Sequence, residues 1–505
     1  MVYVPVFAGD MHGKWYRKGS VVTEMIPEVV EGAIRRGITV TRLVVLAAAS
    51  MFLIACQAMP SLVKPRLEEN GQVFLYLQSL EGESARLAFR LDRISAVRGD
   101  GGTVPLSLHV GEIRGKDPTG DRLLASGVLP PGKYTGISFL AKSATLQGEE
   151  GLAALLISDE DSMTLVPFEI ARQKAQVVSL KFRYRESLQG GVRFTPSFSA
   201  EIPKKLATGL IGLVTSARGN TVTVFDKMNG KVVGVIPTGV TPVGMVLDPV
   251  LSRAYVAISG DDSVEAIDLQ GGDVILRGQL AIGDRPEEMV LTPDRRFLLS
   301  ANSGSDTVSV IDTASLVETM RVQVGSGPQS ILVDRAGRRA YVFNTLSNTI
   351  SVLDLGVLTV TATLPSESGP VRGGFNRAGN RLYVLHRDSP YISVLDPATR
   401  SVSRRVYVGS GATALKVDTQ TDRIYLARRG TGEVVIYEPF SLLPVDSIRT
   451  GQDASYLAID GETNNLLVVL PEANETRVIP LVGKKTAARI DVPDAPAWVT
   501  VAGER

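Results

Sequence analysis

One five-residue pattern returns through the C-terminal part of the chain at an almost constant interval. It consists of a β-branched residue, any residue, an aliphatic residue, any residue and an aspartate. It appears as Val222–Asp226 (VTVFD), Val264–Asp268 (VEAID), Val308–Asp312 (VSVID), Ile350–Asp354 (ISVLD) and Ile392–Asp396 (ISVLD). Two degenerate copies end at Glu438 and Pro480, so successive last positions are 42, 44, 42, 42, 42 and 42 residues apart. A second marker keeps the same period. Proline stands at Pro242, Pro286, Pro328, Pro370 and Pro496, Ala412 and Ala454 fill the two gaps, and glycine precedes by three at Gly239, Gly283, Gly325, Gly409 and Gly451. A fixed period of this length means that each unit buries its apolar face against its neighbours, as in a propeller or a solenoid.

The units decide between those two. In the best one, Ser330–Val333, Ala340–Phe343, Thr349–Leu353 and Val357–Thr363 alternate apolar and polar residues, and turn-rich pieces such as Asp334–Gly337 separate them. Period-2 alternation bounded by Gly, Asn and Asp reads as strands and hairpins, and four strands per unit is a propeller blade. The first copy opens at Leu210–Thr215 without an inner strand, and the chain ends with an orphan inner strand, Pro496–Val501. We therefore expect seven blades over residues 209–505, the last strand completing the first blade and removing the exposed edges.

These repeats resemble the YVTN β-propellers, whose signature is a Tyr-Val-x-Asn strand, a Thr-Val-x-Val-x-Asp strand and a Val-Gly-x-x-Pro turn. It is clearest in Tyr341–Asn344 followed by Asn348–Asp354; equivalent strands begin at Tyr255, Leu299, Tyr383 and Tyr425. The resemblance implies a surface, periplasmic or S-layer-associated protein and leaves function open, because fold does not fix function.

Residues 73–204 carry no copy of the markers. Val73–Leu77, Arg86–Leu91, Val104–Val110, Thr135–Leu140, Met163–Ile170 and Val177–Tyr184 read as strands separated by turns such as Asp100–Gly102 and Pro130–Gly132. Six short strands without a helical run predict a sandwich. The stretch Leu123–Ser138, with its Leu-Pro-Pro-Gly-Lys-Tyr134 corner, resembles a domain of unknown function in bacterial lipoproteins, which implies a transthyretin- or Ig-like β-sandwich. Tyr134 is expected to be a core tyrosine with its hydroxyl satisfied. The expected fold is thus all-β: a sandwich followed by a seven-bladed propeller.

The chain has a single cysteine, Cys56, and Leu43–Ala55 before it is free of charge. Thirteen residues are too few to span a bilayer, which takes about 20, but they suit the apolar region of a signal peptide behind Arg35, Arg36 and Arg42. The ending Leu53-Ile54-Ala55-Cys56 resembles a bacterial lipobox, which implies cleavage before Cys56 and acylation of its thiol. Residues 1–55 are read as this signal peptide behind a mis-called N-terminal extension, with the true start at Val40 or Met25. Residues 56–72 are read as a lipidated tether. Two or three acyl chains anchor stably, so the membrane is an expected partner, and Gln57 after the cysteine favours an outer-membrane destination.

Lys and Arg number 54 against 53 Asp and Glu, a formal net charge of +1. That balance lacks the basic surplus of a nucleic-acid binder. Three scattered histidines (His12, His109 and His386) and one cysteine give no familiar metal-ligand set, so no metal or other cofactor is expected. No catalytic constellation emerges. Matching positions across blades places Glu287, Glu288, Gln329, Arg372, Tyr456 and Trp498 at the central channel, with Asp261, Asp262, Arg285, His386 and Arg428 in loops on the same face. From these we take Arg285, Glu288, Arg372, His386, Arg428 and Tyr456 as a candidate ligand face. The expected role is a lipid-anchored envelope protein binding a protein or polysaccharide through that face. The alternatives are a lactonase-like hydrolase using His386, since seven-bladed lactonases have similar blades, and a structural S-layer-like protein.

Overall fold

The computed structural model describes residues 70–505, apart from 81, 116–119 and 150, together with two short strands, Phe7–Gly9 and Trp15–Arg17. Cys56 and the expected signal peptide lie outside the described residues. No helix among the described residues is long and apolar enough to cross a membrane.

Seven four-stranded antiparallel units follow one another from Ile211 to Val501. Blade 4 is representative: Pro328–Val333, Arg339–Asn344, Thr349–Asp354 and Thr359–Pro365 run from the central channel outward as strands a, b, c and d. Blade 1 takes its inner strand from the end of the chain, with Pro496–Val501 antiparallel to Ile211–Ser216 through pairs such as Leu213 with Thr500. The ring thus closes as the repeat phase predicts. Strand parity explains the burial: in blade 4, Ala340, Tyr341, Val342 and Phe343 are all buried, because a middle strand is covered by the neighbouring blade on each face.

The marker residues turn out to be turn chemistry. The carboxylates of Asp226, Asp312, Asp354 and Asp396 accept the backbone N–H two residues on, at Met228, Ala314, Gly356 and Ala398, at 2.8–3.1 Å. They pin the c–d turns as Asx turns. A second set, not singled out in the sequence, ties blade to blade. Asn220, Asp306, Asn348 and Asn474 accept the N–H of Thr241, Gly327, Gly369 and Ala495 across each blade boundary at 2.8–2.9 Å. Asp262 does the same with Gly283 and Arg285. All five clasp residues are left-handed, with φ of 50–60°, a conformation that Asn and Asp tolerate better than other side chains.

The N-terminal region is a two-layer sandwich. One layer joins Gly71–Leu77 to Ala175–Phe182 and Gly120–Leu129; the other centres on Leu87–Arg98 and Gly132–Gly148. Tyr134 is buried, stacks on Phe168 and donates its hydroxyl to the Pro130 carbonyl at 2.9 Å. The strand Gly120–Leu129, absent from the sequence reading, joins the sandwich to the propeller. It pairs in parallel with the outer strand of blade 7, Gly120 opposite Arg489 and Asp121 opposite Ile490. Gly120 has φ of 139°, and a Cβ there would run into the Arg489 carbonyl. Arg122 meets Asp491 at 2.9 Å, and Tyr76 donates to the Asp491 carbonyl. Gly71–Leu77 serves two cores: Val73, Leu75 and Leu77 face the sandwich interior, while Phe74 and Tyr76 pack with Ile211, Val235 and Ile490 of the propeller. Residues 68–505 form one compact unit.

Candidate functional site

The inner strands wall the channel, and their second residues past the proline marker point into it. Those positions are Gly244, Glu288, Ser330, Arg372, Ala414, Tyr456 and Trp498. Three of the six candidate residues meet there. The Arg372 guanidinium lies 3.4 Å from the Glu288 carboxylate, 4.6 Å from the Tyr456 ring centre and 4.7 Å from that of Trp498. Tyr456 and Trp498 stack with centroids 3.9 Å apart. A guanidinium with a carboxylate at its edge and two π-faces against its plane has both its charge and its orientation fixed.

Burial pushes the Glu288 carboxyl above its ordinary range, and Arg372 pulls it partway back. Burial likewise holds the Tyr456 phenol well above its usual value. Tyr456 is therefore a neutral donor at physiological pH.

Three channel residues escaped the sequence reading. Lys416 pairs with Glu504 at 2.7 Å, and Thr500 donates to the other Glu504 oxygen at 3.0 Å. Lys416 and Thr500 sit two residues beyond the ring just described, on the same face of their strands, so the period-2 rule would have found them. Glu504 lies outside every repeat and carries no such signal.

The other three candidates are elsewhere. Arg285 is exposed on the loop before blade 3, in the left-handed region with φ of 50°. Arg428 is half-buried at the rim; it donates to the Val408 carbonyl at 3.1 Å and lines a shallow groove with Tyr407 and Tyr437. His386 is fully buried. Its Nε2 meets the Ser366 hydroxyl at 2.9 Å and its Nδ1 the Tyr391 carbonyl at 3.1 Å. Burial lowers its pKa, so it is neutral. With both nitrogens engaged, one on the connection from blade 4 and one within blade 5, it is not part of an exposed ligand face, which corrects its place in the expected set.

Glu287 is held by Ser303 at 3.0 Å, Asp261 by Arg277, and Asp262 serves as a clasp. Among the described residues no group of three or more His, Cys, Asp or Glu side chains is arranged to hold a metal.

The YNCE-like beta-propeller family model matches residues 206–423. The matched stretch runs from blade 1 into blade 6. A functionally unknown protein from Desulfotomaculum acetoxidans DSM 771 superposes with a TM-score of 0.51 at 14% identity, over 58% of this chain and 98% of its own. Hydrazine synthase of Kuenenia stuttgartiensis gives 0.46 at 19% identity, covering 51% of this chain and 88% of that one. The dihydro-heme d1 dehydrogenase NirN gives 0.48 at 14% identity, covering 60% and 77%. Likeness at this level concerns the fold alone. No curated protein matches the chain.

Proposed function

We propose that this chain is a lipid-anchored cell-envelope protein that binds a protein or polysaccharide partner through the propeller face carrying the b–c hairpins. The observation that carries the reading is the make-up of that face. Ile282, Leu346 and Val240 stand 97%, 68% and 49% exposed there, on the same side as Arg285, Tyr391 and Tyr407. Arg and Tyr are residue types on which binding energy concentrates, and the exposed aliphatic side chains beside them offer apolar area for a partner to bury. The channel residues support a surface mode of binding, because Arg372, Glu288, Tyr456 and Trp498 occupy one another. His386 has no catalytic part in this reading, since both its nitrogens are engaged within the propeller.

The anchor rests on the Leu43–Cys56 sequence. Intact mass and acyl labelling of the mature protein, wild type against Cys56→Ala, test it together with protease accessibility on whole cells. A mass starting at acylated Cys56 supports the anchor, and an unlipidated mature chain refutes it. Exposure of the propeller to external protease assigns it to the cell surface.

A further inference from the structure

The two faces of the propeller treat arginine differently. On the b–c face most guanidiniums are paired: Arg277 with Glu265, Arg321 with Asp284 and Glu318, Arg405 with Glu367, Arg477 with Glu475 and Arg218 with Asp494. Arg285, Arg429 and Arg449 are exceptions. The opposite face carries the a–b and c–d turns. In blades 3 to 5 these turns and the strands beside them hold Arg295, Arg296, Arg335, Arg338, Arg339, Arg377, Arg381, Arg400 and Arg404. None of these nine has a carboxylate partner within 4 Å, and neither do Arg253 and Arg423 beside them, whereas ten arginines elsewhere in the described propeller do. Seven of them are exposed.

Five aspartates share these turns: Asp294, Asp312, Asp334, Asp354 and Asp396. Each accepts backbone N–H groups of its own turn. With Glu318, which opens the outer strand of blade 3, nine cations stand against six anions, a surplus of three on a sector of a chain whose total is +1.

Apolar tips stand among these cations. Val317 and Val357, in the c–d turns of blades 3 and 4, are 59% and 64% exposed, and Phe440 and Leu443, in the c–d turn of blade 6 beside blade 5, are 82% and 62% exposed. Arg381 donates to the Pro439 carbonyl and Arg404 to the Ser441 carbonyl, so these guanidiniums lie against the backbone of the turn that carries Phe440. The sandwich also reaches this face. Asn70 accepts the Gln173 N–H at 3.0 Å, and the next residue, Lys174, pairs with Asp273 in the c–d turn of blade 2.

We infer that the a–b face of blades 3 to 5 docks on an anionic lipid surface, the arginines meeting headgroup phosphates and the apolar tips entering the headgroup–acyl boundary. A soluble polyanion would satisfy the arginines but leave Phe440 and Val357 in water; a lipid surface takes both. The inference does not need acylation at Cys56, and the experiment separates the two.

The full chain carrying Cys56→Ser is sedimented with vesicles of phosphatidylglycerol and phosphatidylethanolamine, and with pure phosphatidylcholine. Binding is expected to the anionic vesicles alone and to fall with added salt. Arg335→Glu/Arg377→Glu should weaken it more than about tenfold. Arg429→Glu/Arg449→Glu, the same charge change on unpaired arginines of the other face, should weaken it less than about twofold. Phe440→Ser should weaken it several-fold. Should the double Glu variant fail to fold, Arg335→Gln/Arg377→Gln makes the same comparison at lower charge. Equal losses from both faces would overturn the inference. So would heparin binding that depends on Arg335 and Arg377 while Phe440→Ser leaves vesicle binding unchanged, which would mark a site for a soluble polyanion.

Discussion

The b–c face and the a–b face of blades 3 to 5 are built from the same repeats, yet they dispose of charge in opposite ways. Asp284 on the first has 1% side-chain exposure and is gripped by Arg321 through both nitrogens, at 2.8 and 2.7 Å. Arg335 and Arg377 on the second stand in solvent without carboxylate partners. Buried, mutually satisfied charges position backbone and resist change; solvated ones contribute little to the fold and stay available to a partner. The difference separates the part of the propeller that holds its shape from the part that can meet a charged surface.

The largest expected effect breaks that contrast directly. Arg321→Ala should cost about 3 kcal/mol of stability, because it leaves Asp284 buried and unpaired. Arg335→Ala should cost less than about 0.5 kcal/mol. Urea denaturation midpoints of the two variants make the comparison. Equal losses would mean that the a–b arginines also support the fold.

A pH series sharpens the point at the joint between sandwich and propeller. Asp121 is buried with its carboxylate on the Val232 N–H, and burial pushes its pKa up to about 6. The folded chain then keeps this proton to about pH 6, whereas the unfolded chain releases it near pH 4. Protonation thus favours the folded state, and stability falls as pH rises between those values, by up to about 3 kcal/mol. Asp121→Asn should remove that fall while keeping an oxygen for Val232. Denaturation at pH 4 and pH 7 reads it.

The clasp between blades is the smallest lever on the b–c side. Asn348→Gly should cost about 1 kcal/mol, the lost hydrogen bond to Gly369. Asn348→Ala should cost about 1 kcal/mol more, since φ there is 56°. Blade 6 already has Gly432 at this position, with φ of 58°. The corresponding Gly432→Asn change should destabilise by the same assay, because a Cβ there would sit 3.1 Å from the Gly451 backbone.

Much of this was legible in the sequence, and the exceptions have physical reasons. Period and phase predict seven blades and closure by Pro496–Val501. Strand parity brings Glu288, Arg372, Tyr456 and Trp498 together in the channel. His386 misled because a lone histidine near a loop looks reactive, whereas Ser366 and the Tyr391 carbonyl, which engage it, are not recognisable as its partners without the fold. The docking of sandwich on propeller was hidden because an added parallel strand leaves no turn signal. Its one trace is Val73–Leu77, which is apolar at every position because it faces two cores. The a–b arginines were visible as residues but cancelled in the sum: a net charge of +1 records the total and not the segregation between faces.

Hydrogen–deuterium exchange of the full chain, with and without phosphatidylglycerol-containing vesicles, tests the division between the faces most directly. The account predicts slowed exchange in 294–297, 335–339 and 377–381, with the b–c hairpins around 303–306 and 345–348 unchanged. Protection of the b–c hairpins instead, or of neither face, would contradict it.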